Sequence, residues 1–162
     1  MNPITVRPIE PSDNALVANI IRTCLVEFNA AKPGTVYFDE STDHLFELFQ
    51  STNKSIYFVA VQEGKVIGGA GIFPTANLPT EVCELVKIYL TKESRGLGLG
   101  RLMIQKCLDA AHAMGFTKVY LETMPELSNA VKTYETLGFQ YLTAPMGYSG
   151  HSACSIFMLK TI

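Results

Sequence analysis

The stretch from Glu84 to Gly115 most constrains what this chain can fold into, because it reads as strand, glycine loop and helix without a break. Glu84 to Leu90 (E-L-V-K-I-Y-L) is rich in branched and aromatic residues, as strands are. The polar run Thr91 to Ser94 ends it, and Arg95, Gly96, Gly98 and Gly100 follow. A helical pattern starts at once. Leu99, Leu102, Met103, Cys107, Ala110, Ala111 and Met114 recur at helical spacing, with Arg101, Gln105, Lys106 and Asp109 on the other face. Gly115 stands where a left-handed C-cap is expected.

Glycines ahead of a helix let backbone N–H groups approach a ligand, and the first helical turn leaves such donors unpaired in a field that favours anions. Arg95 and Arg101 add positive charge beside the loop, and the arginine fork suits phosphate oxygens. A pyrophosphate is therefore the expected guest. Neither G-x-x-x-x-G-K-[ST] nor a complete dinucleotide fingerprint is present, since Gly96-x-Gly98-x-x-Arg101 lacks the third glycine. The pattern that fits is R-x-x-G-x-G, carried by Arg95, Gly98 and Gly100. It resembles the coenzyme A pyrophosphate loop of the GNAT superfamily of acyl-CoA N-acyltransferases. The resemblance implies a cradle of Arg95, Gly96, Leu97, Gly98, Leu99, Gly100 and Arg101.

The rest of the chain is consistent with that layout. Ile4 to Arg7 reads as a strand. Ser12 or Asp13 can cap a helix to about Phe28 with Leu16, Ile20, Cys24 and Phe28 on its apolar stripe. A shorter helix spans Asp43 to Gln50. Ser55 to Gln62 and Val66 to Phe73 form a hairpin across Glu63-Gly64-Lys65. Gly68, Gly69 and Gly71 weaken its second strand, so something must pack closely there. Lys118 to Glu122 is a strand parallel to the central one. A helix from Ser128 or Asn129 to Leu137 closes at Gly138, and Phe139 to Leu142 and Ala153 to Leu159 are the last strands. The resemblance covers nearly all of the chain. It implies one domain over residues 1–162, a mixed α/β (α+β) acyl-CoA N-acyltransferase fold. Its core would be a central, mostly antiparallel twisted sheet of six to seven strands with about four helices.

Composition narrows the function. Hydrophobic residues make up 48% and charged residues 17%, which excludes a disordered chain, and the formal net charge of -2 with no basic patch argues against nucleic acid. No run approaches a membrane span, and the N-terminus lacks the apolar core of a signal peptide. Cys24, Cys83, Cys107 and Cys154 are scattered without a C-x-x-C pair or a histidine cluster, so neither zinc nor a disulfide framework is expected. The expectation is a cytoplasmic protein with reduced thiols and no metal.

Acyl transfer from a thioester needs a neutral amine, because an ammonium of pKa about 10.4 cannot attack. It also needs a donor for the tetrahedral oxyanion and a proton for the leaving thiolate. By resemblance, the strand before the glycine loop splays from its neighbour, and its backbone at Ile88, Tyr89 and Leu90 binds the pantetheine arm. Glu84 stands where family members carry an acidic residue, either a base for the amine or a plain strand-end glutamate. Ala130 to Phe139 (A-V-K-T-Y-E-T-L-G-F) resembles the family pattern A-x-x-x-Y-E-x-x-G-F, which implies that Tyr134 is the general acid facing the coenzyme sulfur rather than only a half-buried tyrosine on a short helix. The family asparagine three residues before that alanine is replaced here by Leu127. The nearby Asn129 either caps the helix or reaches the cofactor.

The tail resembles a subset of small bacterial family members with P-x-G-x-x-G-H-x-x-C-x-x-x-M, here Pro145, Gly147, Gly150, His151, Cys154 and Met158. A cysteine–histidine nucleophile is disfavoured, because direct transfer needs no acyl-enzyme, and His151 is expected to shape the acceptor pocket or to pack. His44 and His112 read as ordinary helix residues. The leading expectation is an enzyme moving acetyl from acetyl-CoA to a primary amine in a ternary complex. The alternatives are another acyl group, a hydroxyl acceptor or a non-catalytic acyl-CoA sensor. The acceptor is not legible, and a homodimer stays open.

Overall fold

The computed structural model describes residues 2–162. Its elements follow the order β1 (Ile4–Pro8), α1 (Asn14–Glu27), α2 (Leu45–Gln50), β2 (Ile56–Gln62), β3 (Lys65–Phe73), β4 (Val82–Leu90), α3 (Leu99–Ala113), β5 (Lys118–Thr123), α4 (Ser128–Thr136), β6 (Gln140–Leu142) and β7 (Ile156–Thr161). The strands form one mixed sheet, β1-β2-β3-β4-β5-β7-β6. Among the described residues only β4 and β5 run parallel, joined through α3 as a parallel pair requires. All other neighbours are antiparallel.

Apolar residues of the sheet face helices on both sides. Met103, Ile104, Cys107 and Leu108 of α3 bury against Ala70, Ile72, Cys83, Leu85 and Val119, with Tyr134 and Phe139 beside them. On the opposite face Val17, Ile21 and Leu25 of α1 and Leu45 and Phe49 of α2 pack over Tyr57 and Val59. Two expected core residues fall outside. Leu16 is 52% exposed and Leu102 45%, because each sits at the edge of its apolar stripe and the sheet meets the stripe's centre. The Asp13 carboxylate caps no N–H of α1. It accepts instead from the Glu10 N–H and pairs with Arg7 at 2.7 Å. β7 starts at Ile156 rather than Ala153, since the Ala153 and Cys154 amides bond to Gly34 and His151 outside the ladder.

The β3 glycines have a specific purpose. A Cβ at Gly69 or Gly71 would come within 2.6 or 2.7 Å of the Tyr57 ring. Their bareness lets that ring lie flat on the sheet, and its hydroxyl donates to the Lys87 carbonyl at 2.8 Å. That carbonyl needs a partner because β4 bulges there. Gly71 pairs with Val86 and Gly69 with Tyr89, so three steps along β4 match two along β3. Lys87 is the extra residue, with φ +50. The bulge resets the alternation, placing Ile88 and Leu90 with the α3-side core and Tyr89 with the other. Pairing of β4 with β5 stops at Glu84 and Tyr120. Past that point the two strands part and leave a cleft.

Candidate functional site

A groove of about 660 Å³ starts at the glycine loop and ends in the cleft between β4 and β5. Gly96 and Gly98 hold φ +76 and +80, the left-handed region where a side chain is strained. Gly98 is the N-cap of α3, so the unpaired N–H groups of the first turn point into the groove's end. Gly96, Gly98, Gly100, Arg95 and Arg101 all line it, as do Ile88, Tyr89 and Leu90 along one wall and Asn129, Thr133 and Tyr134 on the α4 side. Leu97 and Leu99 do not. Leu97 is exposed and Leu99 is buried in the core, so either could serve only through its backbone.

Arg95 departs from the expected phosphate fork. Its guanidinium makes a paired contact with Glu27 at 2.8 and 3.0 Å, donates to the Leu90 carbonyl at 3.1 Å and lies 4.8 Å over the Phe28 ring. It ties the end of β4 to the end of α1. Arg101, exposed at the loop, has no ion pair among the described residues. The resting positive charge at the groove's mouth is therefore that of Arg101, the N–H groups and Lys132.

Within α4, Leu127 occupies the N-cap position and Asn129 lies in the first turn. Asn129 therefore caps nothing, and its place on the groove wall is the one of its two expected roles that geometry permits. Tyr134 packs edge-on against Phe139, 5.9 Å between ring centres, and is 4% exposed. Burial pushes its hydroxyl pKa well up. Gly138, φ +89, ends the helix.

A second, smaller cavity of about 60 Å³ adjoins the groove and shares Leu85, Lys87, Tyr89, Glu122, Thr123 and Leu127 with it. Glu84 lines this cavity. It is 4% exposed, and burial pushes its pKa up to about 7, with the nearby Glu122 adding to the rise and a 2.6 Å hydrogen bond from Thr75 opposing it. It is thus no plain surface glutamate. Glu122 accepts from the Tyr120 and Ser149 hydroxyls, each at 2.6 Å. Behind Lys87 and His151 sits Asp39, whose Oδ2 lies 2.7 Å from His151 Nε2 and 3.7 Å from Lys87 Nζ. Burial pulls Asp39 upward, but the His151 and Lys87 contacts outweigh it and hold the carboxyl below its usual range.

The tail between β6 and β7 roofs this cavity. The Met146 N–H donates to Tyr120 Oη, the Tyr148 N–H to the Ala76 carbonyl and the Ala153 N–H to the Gly34 carbonyl. Gly147, φ +64, is required because a Cβ there would sit 2.7 Å from the Ala76 oxygen. Cys154 lines the cavity, but burial raises its thiol to about 12 and the His151 ring is turned to Asp39. The two do not form a thiolate–imidazole couple. The other three cysteines are free and buried. His44 and His112 are exposed and line neither pocket. Sequence reading missed Lys87, Asp39 and Glu122. A charge set within an otherwise apolar strand was the available signal for Lys87 and Glu122, whereas Asp39 gave none.

Among the described residues no cluster of metal-binding side chains occurs, and no helix is long and apolar enough to cross a membrane. The chain is 33% identical over 157 residues to an uncharacterized N-acetyltransferase, YjgM, of Escherichia coli (strain K12), covering 96% of this chain and 93% of that one. Its fold superposes on a GNAT family acetyltransferase of Staphylococcus aureus Mu50 with a TM-score of 0.86 at 16% identity, over 98% and 99% of the two chains. A GNAT superfamily phosphinothricin acetyltransferase of Sinorhizobium meliloti, solved in complex with acetyl-CoA, superposes with a TM-score of 0.77 at 22% identity, over 98% and 88%. The family model for the acetyltransferase (GNAT) family matches residues 21–139. With that match and the YjgM likeness, the chain belongs to the GNAT family of acetyltransferases.

Proposed function

We propose that this enzyme, acting as a single domain, transfers the acetyl group of acetyl-CoA directly to a primary amine held beside it. One observation carries the reading. The long groove and the small cavity meet at a common wall, with Tyr134 on the groove side and Glu84 on the cavity side. The groove's left-handed glycines, unpaired N–H groups and extended β4 edge suit a pyrophosphate followed by an amide-bearing arm. Acetyl-CoA supplies an acyl group activated as a thioester.

This chain's own groups do the rest. Glu84 takes the proton that an incoming ammonium must lose, and a carboxyl with a pKa of about 7 is half ready to do so at neutral pH. The backbone N–H groups freed where β4 leaves β5 offer donors to the developing oxyanion. Tyr134 Oη gives its proton to the leaving sulfur. Burial raises the pKa of that phenol, but the same dry surroundings raise the basicity of a thiolate, so the transfer stays matched.

Calorimetric titration of acetyl-CoA against ATP, followed by thiol release with an amine panel, tests the reading. Coenzyme-specific binding with turnover that Tyr134→Phe abolishes supports it. Turnover-free binding across the panel, unchanged in the variant, would leave an acyl-CoA binding domain instead.

A further inference from the structure

The cavity beyond Glu84 has a charge pattern and a size that bear on the acceptor, given the acetyl-transfer reading above. We propose that it takes a slender aliphatic primary amine that enters as an ammonium ion and carries no carboxylate beside its nitrogen.

Glu84, Glu122, Lys87 and His151 line the cavity, and Asp39 stands against the last two. That is three carboxyl groups against one ammonium and one imidazole. With Glu84 ionised the cluster carries two net negative charges when His151 is neutral and one when it is protonated. With Glu84 protonated it carries one, or none if His151 also holds a proton. In none of these four patterns is the cluster positive. A cation is therefore attracted in most states, and an anion in none.

The cations present are also committed. Lys87 Nζ and His151 Nε2 both turn to the same oxygen of Asp39, at 3.7 and 2.7 Å, and the Lys87 side chain is only 7% exposed. Neither is free to receive a substrate carboxylate. The carboxylates are less satisfied. Glu122 is held by two neutral hydroxyls, Tyr120 and Ser149, which orient it without cancelling its charge. Glu84, 4% exposed, accepts from Thr75 through Oε1, while Oε2 has no protein donor among the described residues. That oxygen is the natural seat for an ammonium, and from there the ammonium gives up its proton.

Size selects in the same direction. About 60 Å³ holds a few water-sized groups, which suits an aminomethylene tip better than a branched α-carbon with its carboxylate. The wall that the cavity shares with the groove lies toward the place where the thioester would sit. The Pro145 to Cys154 motif, as the roof, gains a role: it closes the acceptor pocket.

Matched pairs test this. Thiol release from acetyl-CoA is measured with agmatine and arginine and with tyramine and tyrosine, whose amino acids carry their one primary amine beside the carboxylate, using the intact protein, while calorimetry follows coenzyme binding in the same preparation. In the reactive pairs the amine is expected to exceed its amino acid at least tenfold in kcat/KM. Glu122→Gln should shrink that ratio severalfold with little change in coenzyme affinity. Equal or inverted preference would overturn the acceptor class while leaving acetyl transfer intact. Coenzyme binding without turnover on any pair would overturn it as well, and loss of coenzyme binding itself would instead sink the reading on which it rests.

Discussion

The donor groove and the acceptor cavity share a wall, yet they are made in opposite ways. The groove's key groups come from one continuous stretch, β4 through the first turn of α3, with α4 as its far side. It works through backbone: left-handed glycines, unpaired N–H groups and a strand edge. The cavity draws Thr35 and Val36 from the loop after α1, Glu84 and Lys87 from β4, Glu122 from β5, and His151 and Cys154 from the tail. It works through side chains bonded across long sequence distances, such as His151 to Asp39 and Ser149 to Glu122. A site built from backbone can be local, because a loop's own dihedrals create it. A site built from charges in a dry cavity cannot, because each charge needs a partner from another element.

Breaking the chemistry on each side of the shared wall should give the largest effects. Tyr134→Phe is expected to lower kcat by roughly 10²- to 10³-fold, in line with loss of a general acid, with coenzyme Kd changed less than about threefold. Glu84→Gln should cost roughly 10²-fold in kcat and remove the acidic limb of the pH–rate profile, which should centre near pH 7 because only the ionised carboxylate accepts a proton.

The same variant sharpens the comparison through stability. The folded-state pKa of Glu84, about 7, lies above the ordinary 4.5, so folding favours the neutral form. That preference is fully present below pH 4.5 and is lost as pH rises through 7. The ionised carboxylate then carries a penalty of roughly 3 kcal/mol at 1.36 kcal/mol per unit. Glu84→Gln should stabilise the protein by about 2–3 kcal/mol at pH 8 and hardly at all at pH 4, as read from denaturant midpoints. Gly98→Val strikes only the donor side. Forcing a β-branched residue to φ +80 strains the loop by roughly 1–3 kcal/mol, which should weaken coenzyme binding about 10- to 100-fold by calorimetry and leave the cavity intact.

Smaller effects should come from the supports. Tyr57→Phe leaves the Lys87 carbonyl without its donor in a buried place and should lower stability by about 1–3 kcal/mol, with a loss of kcat/KM that follows from a slack bulge. His151→Asn should raise the acceptor KM a few-fold and leave coenzyme Kd unchanged. A change in coenzyme Kd there would show that the two pockets are coupled through Lys87.

The sequence by itself determined the order of elements, the parallel crossover through α3, the glycine loop with its helix and the placement of Tyr134. Each rests on periodicity, glycine position or a contiguous motif, all local properties of the chain. Even the crowding at Gly69 and Gly71 was legible as a gap needing a filler, though not which ring would fill it. Only the tertiary structure decided that Tyr57 fills it and holds the bulge at Lys87. It also gave Arg95 to Glu27, and it made Glu84 a carboxyl poised near neutrality. The pKa of a carboxyl depends on what excludes water from it and on which charges stand nearby. Thr75 stands nine residues back across a loop, and Glu122 and His151 of the tail arrive from far along the chain, so nothing in the strand around Glu84 announces them.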